Sequence, residues 1–92
     1  MKILGHNIDI VRDMTTDEMA GAIGRWVPTV MQIQVACDSC SEQRDTTLLH
    51  EVIEAINSML KLELNEQQIM GMEASLYAIF KDNGVDLSGL WK

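Results

Sequence analysis

His50 and Glu54 stand four residues apart in the run His50-Glu51-Val52-Ile53-Glu54. On an α-helix that spacing stacks two side chains on one face, about 5–6 Å apart at Cβ, so that both can reach one metal ion. Glu51 lies about 100° round the helix from His50, where its carboxylate could reach a water activated by the ion and act as general base. A catalytic zinc site usually takes three protein ligands and keeps one position open. The third would come from the following segment, where Glu66 and Glu73 border an apolar stripe centred on Ile69 and could turn toward the first helix. Glu73 is the expected ligand and Glu66 the alternative. The competing reading of the same residues is a solvated polar face on an amphipathic helix, with Glu73 a boundary carboxylate that reaches water past the core.

The second group with chemical potential is Cys37-Asp38-Ser39-Cys40. A CxxC pair at a helix N-terminus can bind metal or cycle redox states, because thiols there have lowered pKa values. The βαβ surroundings of a thioredoxin motif are missing, and a structural zinc needs four ligands, so two free thiols are the simpler expectation.

These residues need elements to hold them. Ser39-Cys40-Ser41-Glu42 has the capping-box pattern and opens a helix over about 40–61. Leu48, Leu49, Val52, Ile53, Ala55, Ile56, Met59 and Leu60 fall in one arc of roughly 160°, while His50, Glu54, Asn57 and Lys61 gather on the far side. Asn65 with Gln68 caps a second helix over 66–82, ended by Asn83-Gly84. Its stripe of Ile69, Met72, Leu76, Ile79 and Phe80 should pack on the first helix. The alternation of Met31, Ile33 and Val35 with Gln32, Gln34 and Ala36 predicts a strand over 30–36. Ile3-Leu4 and Ile8 to Val11, around Gly5-His6-Asn7, predict an N-terminal hairpin. Thr15-Thr16-Asp17-Glu18 predicts a short helix near 16–24, with Gly24 as its stop. The tail from Val85 to Lys92 should fold back through Leu87, Leu90 and Trp91. The expected fold class is therefore α+β: a short antiparallel sheet on two main helices, forming a single domain over 1–92.

Composition narrows the function classes. Net charge is −7 and the seven basic residues are scattered singly, so nucleic acid is not an expected partner. No apolar stretch approaches the roughly 20 residues needed to cross a bilayer, and the N-terminus reaches a polar turn before any signal-peptide core forms. Neither membrane nor secretion is expected, and a cytoplasmic location follows.

The order of features resembles a known group. Arg44-Asp45-Thr46-Thr47-Leu48-Leu49-His50-Glu51-Val52-Ile53-Glu54-Ala55-Ile56, followed by a helix with Glu73-Ala74-Ser75-Leu76-Tyr77-Ala78-Ile79-Phe80-Lys81-Asp82-Asn83, is similar to small phage and prophage proteins related to minimal gluzincins and the ImmA/IrrE metallopeptidases. The similarity covers roughly residues 30 to 84. It implies a zincin-like fold, with His50 as metal ligand, Glu51 as general base, Glu54 at the second-ligand position and Glu73 at the glutamate-ligand position. It also implies that Met31 to Ala36 is the strand beside the cleft, against which an extended peptide would bind by strand addition. The chain departs from the group's motif at Glu54, where a second histidine is usual. Two carboxylates and one imidazole favour manganese or iron over zinc, and the added negative charge makes an activated water less acidic. The expected function is a zincin-like, metallopeptidase-type protein that binds a divalent metal and acts on a protein or peptide. The alternative is a metal-free protein-interaction module on the same scaffold, with a second copy of the chain as one partner.

Overall fold

The computed structural model describes residues 1 to 91; the expectation for Lys92 lies outside them. Five short strands precede two long helices: β1 (Lys2–Ile3), β2 (His6–Asn7), β3 (Asp9–Val11), β4 (Gly24–Val27), β5 (Gln32–Val35), α1 (Ser41–Leu60) and α2 (Glu66–Asp82). Short 3-10 turns cover Pro28–Val30 and Leu87–Trp91. The fold is α+β, as the sequence patterns indicate, but its sheets differ from the expected single antiparallel one.

The hairpin is tighter than expected. Leu4 and Gly5 both take positive φ, 51° and 83°, the geometry of a two-residue turn whose twist matches its strands. β1 and β2 therefore close at once, with Ile3 opposite His6. Asp9–Val11 leaves the hairpin and pairs in parallel with β5, while β4 pairs with β5 antiparallel, in the order β3-β5-β4. In β5, Ile33 and Val35 are fully buried and alternate with the two glutamines. Met31 has φ 51° as the cap of the preceding turn and so lies outside the strand.

No helix forms over 16–24. The Thr15–Glu18 capping box is present, with the Glu18 N–H donating to Thr15 Oγ1 at 3.3 Å. The chain then reverses at Ala20 and Gly21, at φ 55° and 86°. One turn fixes many dihedrals for few hydrogen bonds, so it does not propagate without further support. The segment is held instead by tertiary contacts: Met19 is buried, and the Asp38 carboxylate accepts from Thr16 N–H and Oγ1 at 3.1 and 2.8 Å. Gly24 starts β4 rather than ending a helix.

The central helix runs nearly as expected, from an N-cap at Cys40 that makes no side-chain bond. Ser39 does not cap it, because its hydroxyl donates to Ala36 O at 3.3 Å. α1 is buried on two sides. Leu48 and Ala55 face Ile3, Ile8, Ile33 and Val35, whereas Leu49 and Ile53 face Ile69, Leu64, Leu76, Tyr77 and Phe80. The wide apolar arc thus arises because α1 is the middle layer between the sheet and α2. α2 carries the full Asn65–Gln68 capping box and buries Ile69. The tail returns to α1, where Trp91 Nε1 donates to Asp45 Oδ1 at 2.9 Å.

Candidate metal centre

The polar flank of α1 meets the first two turns of α2, and four of the five carboxylate and imidazole residues singled out in the sequence converge there. Leu49 and Ile53 lock the helices face to face, which sets the adjacent positions 50 and 54 at the rim of that contact. From α2, Glu66 in the first turn and Glu73 two turns later reach the same imidazole from its two ends. Glu73 Oε1 lies 2.7 Å from His50 Nδ1, and Glu66 Oε1 lies 3.2 Å from His50 Nε2. His50, Glu54 and Glu66 each offer a ligand atom, and these atoms all lie within 4.8 Å of one another.

The distances assign different parts to the two glutamates of α2. Glu73 occupies Nδ1 at hydrogen-bonding distance, which favours the tautomer that carries a proton there and leaves the Nε2 lone pair on the side of Glu66. A carboxylate on the far nitrogen of a ligating histidine fixes its ring and raises its basicity. Glu66, the weaker sequence candidate, is therefore the one whose carboxylate lies close enough to His50 and Glu54 to share an ion with them, and Glu73 stands at the other nitrogen of the imidazole. The sequence could not separate them, since both border the same apolar stripe.

Glu51 points elsewhere. It is only 8% exposed and packs under the start of β4. A Cβ on Gly24 would run into Thr47 Cγ2 and come within 3.0 Å of Glu51 Oε2, so glycine is what lets α1 approach the strand so closely. Burial is the main cause that pushes the Glu51 carboxyl up from its ordinary 4.5 to about 7; Glu54, Glu66 and Glu73 add to it, and only His50 opposes. Burial pulls His50 down, but its hydrogen bond to Glu73 and the charges of Glu51, Glu73 and Glu66 outweigh this and raise it above 6.5. A carboxyl near 7 beside an imidazole is suited to exchange a proton at neutral pH.

A cleft of about 370 Å³ opens over His50, Glu51 and Glu73, lined also by Ile23, Gly24, Gln43, Thr46, Thr47 and Met70; Glu54 and Glu66 do not line it. The strand beside it is β4, not residues 31–36. β5 has a neighbour on both sides and cannot accept another strand. Ala36 N–H donates to Ile23 O at 2.9 Å, and with Gly24 opposite Val35 and Trp26 opposite Ile33 the antiparallel alternation turns the backbone groups of Gly24 and Trp26 outward. Sequence reading missed β4 and, with it, the place of Ile23 in the cleft. The Gly24-Arg25-Trp26-Val27 alternation ahead of Pro28 was the available signal, masked by the capping box upstream.

Cys37 and Cys40 are free thiols at the β5–α1 junction and lie outside the ligand group. No helix among the described residues is long and apolar enough to cross a membrane. Comparison with known protein families, curated proteins and solved structures gives no match to this chain.

Proposed function

We propose that this chain is a zincin-like, metallopeptidase-type protein of the phage and prophage group its sequence resembles, binding a divalent metal through His50, Glu54 and Glu66 and acting on a peptide. The observation that carries this reading is the convergence of one imidazole and two carboxylates from two helices, with Glu73 fixing the imidazole from behind. One nitrogen and two oxygen donors suit a borderline or hard divalent ion, manganese or iron more than zinc. When bound, such an ion would polarise a carbonyl and lower the pKa of a water. With an ion bound, Glu51, which shares the cleft with His50, would take a proton from the attacking water and pass it to the amine released when the peptide C–N bond breaks, a task suited to a carboxyl held near 7. Glu73 holds the His50 ring in one tautomer and one orientation. Gly24 and Trp26 offer their outward backbone groups to an extended peptide laid along the cleft.

The test is metal content of protein prepared without chelator or tag-derived metal, read by mass spectrometry, alongside thermal melts with added Mn²⁺ or Zn²⁺. Wild type should bind one ion and gain about 2.7 kcal/mol of stability at a hundredfold excess over Kd. His50→Ala, Glu54→Gln and Glu66→Gln should lose the ion, and Glu73→Gln should keep it with affinity about 10–100-fold weaker. Metal-free wild type, or uptake that survives His50→Ala, would overturn the assignment.

A second reading, a metal-free interaction module, draws on α2. Met72 and Ile79 are 43% and 52% exposed on its outer face, spaced to present an apolar stripe to another protein or a second copy of this chain. Loss of oligomers or complexes on Ile79→Lys, with no metal in wild type, would favour it.

A further inference from the structure

A second cavity, of about 280 Å³, opens at the N-terminal end of α1 and shares no lining residue with the cleft. Arg12, which follows β3, and Arg44 on α1 line it together with two carboxylates, Asp45 and Asp86. Opposite charges in so small a space ordinarily collapse into ion pairs, yet among the described residues neither guanidinium pairs with a carboxylate. Trp91 explains why Arg12 and Asp45 stay apart. Its ring face holds the Arg12 guanidinium, 5.5 Å from the centroid, while its edge donates from Nε1 to Asp45 Oδ1 at 2.9 Å. Asp86 Oδ1 accepts from Ser88 N–H at 2.9 Å. Arg44 has no such partner: its Nε is buried without a hydrogen bond, which leaves its terminal nitrogens as the groups able to gain one.

The whole lining decides the ligand. An oxyanion would gain the two guanidiniums and the N-terminal end of α1, where Cys40 provides no side-chain cap and Ser41 reaches the cavity, but it would meet Asp45 and Asp86. A simple cation would gain the carboxylates and meet both arginines. A molecule that carries one charge of each sign close together gains from both sets and brings no net charge with it. The space is smaller than the roughly 300–1,000 Å³ of drug-sized sites, so it suits a molecule the size of a single residue. Besides Trp91, the remaining described lining is Ser41 and Ser88, with no aliphatic side chain, which matches a short polar side chain on the ligand.

We propose that this cavity binds a small zwitterion, an α-amino acid with a short polar side chain: Arg12 and Arg44 take its carboxylate, Oδ2 of Asp45 takes its ammonium, and Trp91 keeps Arg12 and Asp45 from pairing with each other. The ligand's two ends make the ion pairs that the protein's own groups do not. None of the residues involved belongs to the metal group or its cleft, so this site stands or falls independently of the metallopeptidase reading.

The test uses the full ¹⁵N-labelled chain and L-serine, followed by NMR through the Trp91 indole N–H, which reports on Asp45 directly through its hydrogen bond; Trp26→Phe tells the chain's two indole signals apart. L-Serine should shift the Trp91 signal with a Kd of about 1 mM, a strength open to a ligand of so few atoms. N-acetylserine, which lacks the ammonium, serinamide, which lacks the carboxylate, and inorganic phosphate should each bind at least about tenfold more weakly. Arg44→Gln and Asp45→Asn should weaken L-serine by a similar factor, the asparagine keeping an acceptor for Trp91. Lys2→Gln removes an exposed charge outside the cavity and should leave binding unchanged. The ligand series on the wild-type chain keeps the test decisive even where a variant does not fold. L-Serine that shifts nothing at about 20 mM, N-acetylserine, serinamide or phosphate binding as tightly as L-serine, or Lys2→Gln weakening it as much as Arg44→Gln, would each overturn the zwitterion site.

Discussion

Replacing Glu51 with glutamine should make the metal-free protein more stable at alkaline pH, although it removes the proposed general base. Glu51 is 8% exposed, and its carboxyl is pushed from 4.5 to about 7 chiefly by burial. A folded-state pKa above the unfolded one means that the native chain holds the proton more tightly. The stabilisation is complete below pH 4.5 and is lost as pH rises through about 7. At about 1.4 kcal/mol per pH unit, that interval corresponds to an upper bound of about 3 kcal/mol. The carboxylate borders an open cleft, so solvent screening brings the expected loss to about 1–2 kcal/mol. Glutamine fills nearly the same volume beside Gly24 and Thr47 and has no proton to lose. At pH 8 in chelator, Glu51→Gln should therefore melt roughly 5–15 °C above wild type, and near pH 5 the two should converge. His50 is also raised, in part by the charge of Glu51 itself, so its contribution, lost above pH 6.5, is smaller in the variant and offsets part of the gain; the quantity to read is the difference between the two stability curves. Curves that run parallel from pH 5 to 8, by urea or thermal unfolding, would refute the claim that Glu51 is buried at the cost of its charge.

Further predictions follow from the packing. Gly24→Ala should cost about 1–3 kcal/mol, because the new methyl meets Thr47 Cγ2 and Glu51; adding Thr47→Ser removes that methyl and should restore much of the loss in urea melts. Asn65→Ala deletes the oxygen that accepts from Gln68 N–H at 2.8 Å and should cost about 1 kcal/mol, with Glu66 and the metal group loosened along with the first turn of α2. In metal titrations this variant should show weaker binding with unchanged stoichiometry.

The sequence alone determined the parts of this protein that depend on local pattern. Ile33 and Val35 alternate with glutamines, Asn65 with Gln68 caps a helix, and the apolar arc of α1 marks a long buried helix; each is specified within a few residues, because period and capping are short-range properties. The His50–Glu54 stacking belongs to the same class, since an i, i+4 pair is set by helix geometry. Only tertiary structure decided the rest. The Thr15–Glu18 box forms but starts no helix, because the chain's path into β4 and the burial of Met19 outweigh the propensity of one turn. β3 pairs in parallel with β5 across a long sequence separation that no local signal records. Glu66 and Glu73 look equivalent on their own helix, and their distances to the two nitrogens of His50 depend on how α1 and α2 dock. The burial of Glu51 depends on a glycine 27 positions earlier, which allows a strand to pass over α1 at a distance that any side chain would prevent. Local geometry thus supplied the chemical groups, and the docking of one layer on another decided which atoms of those groups meet.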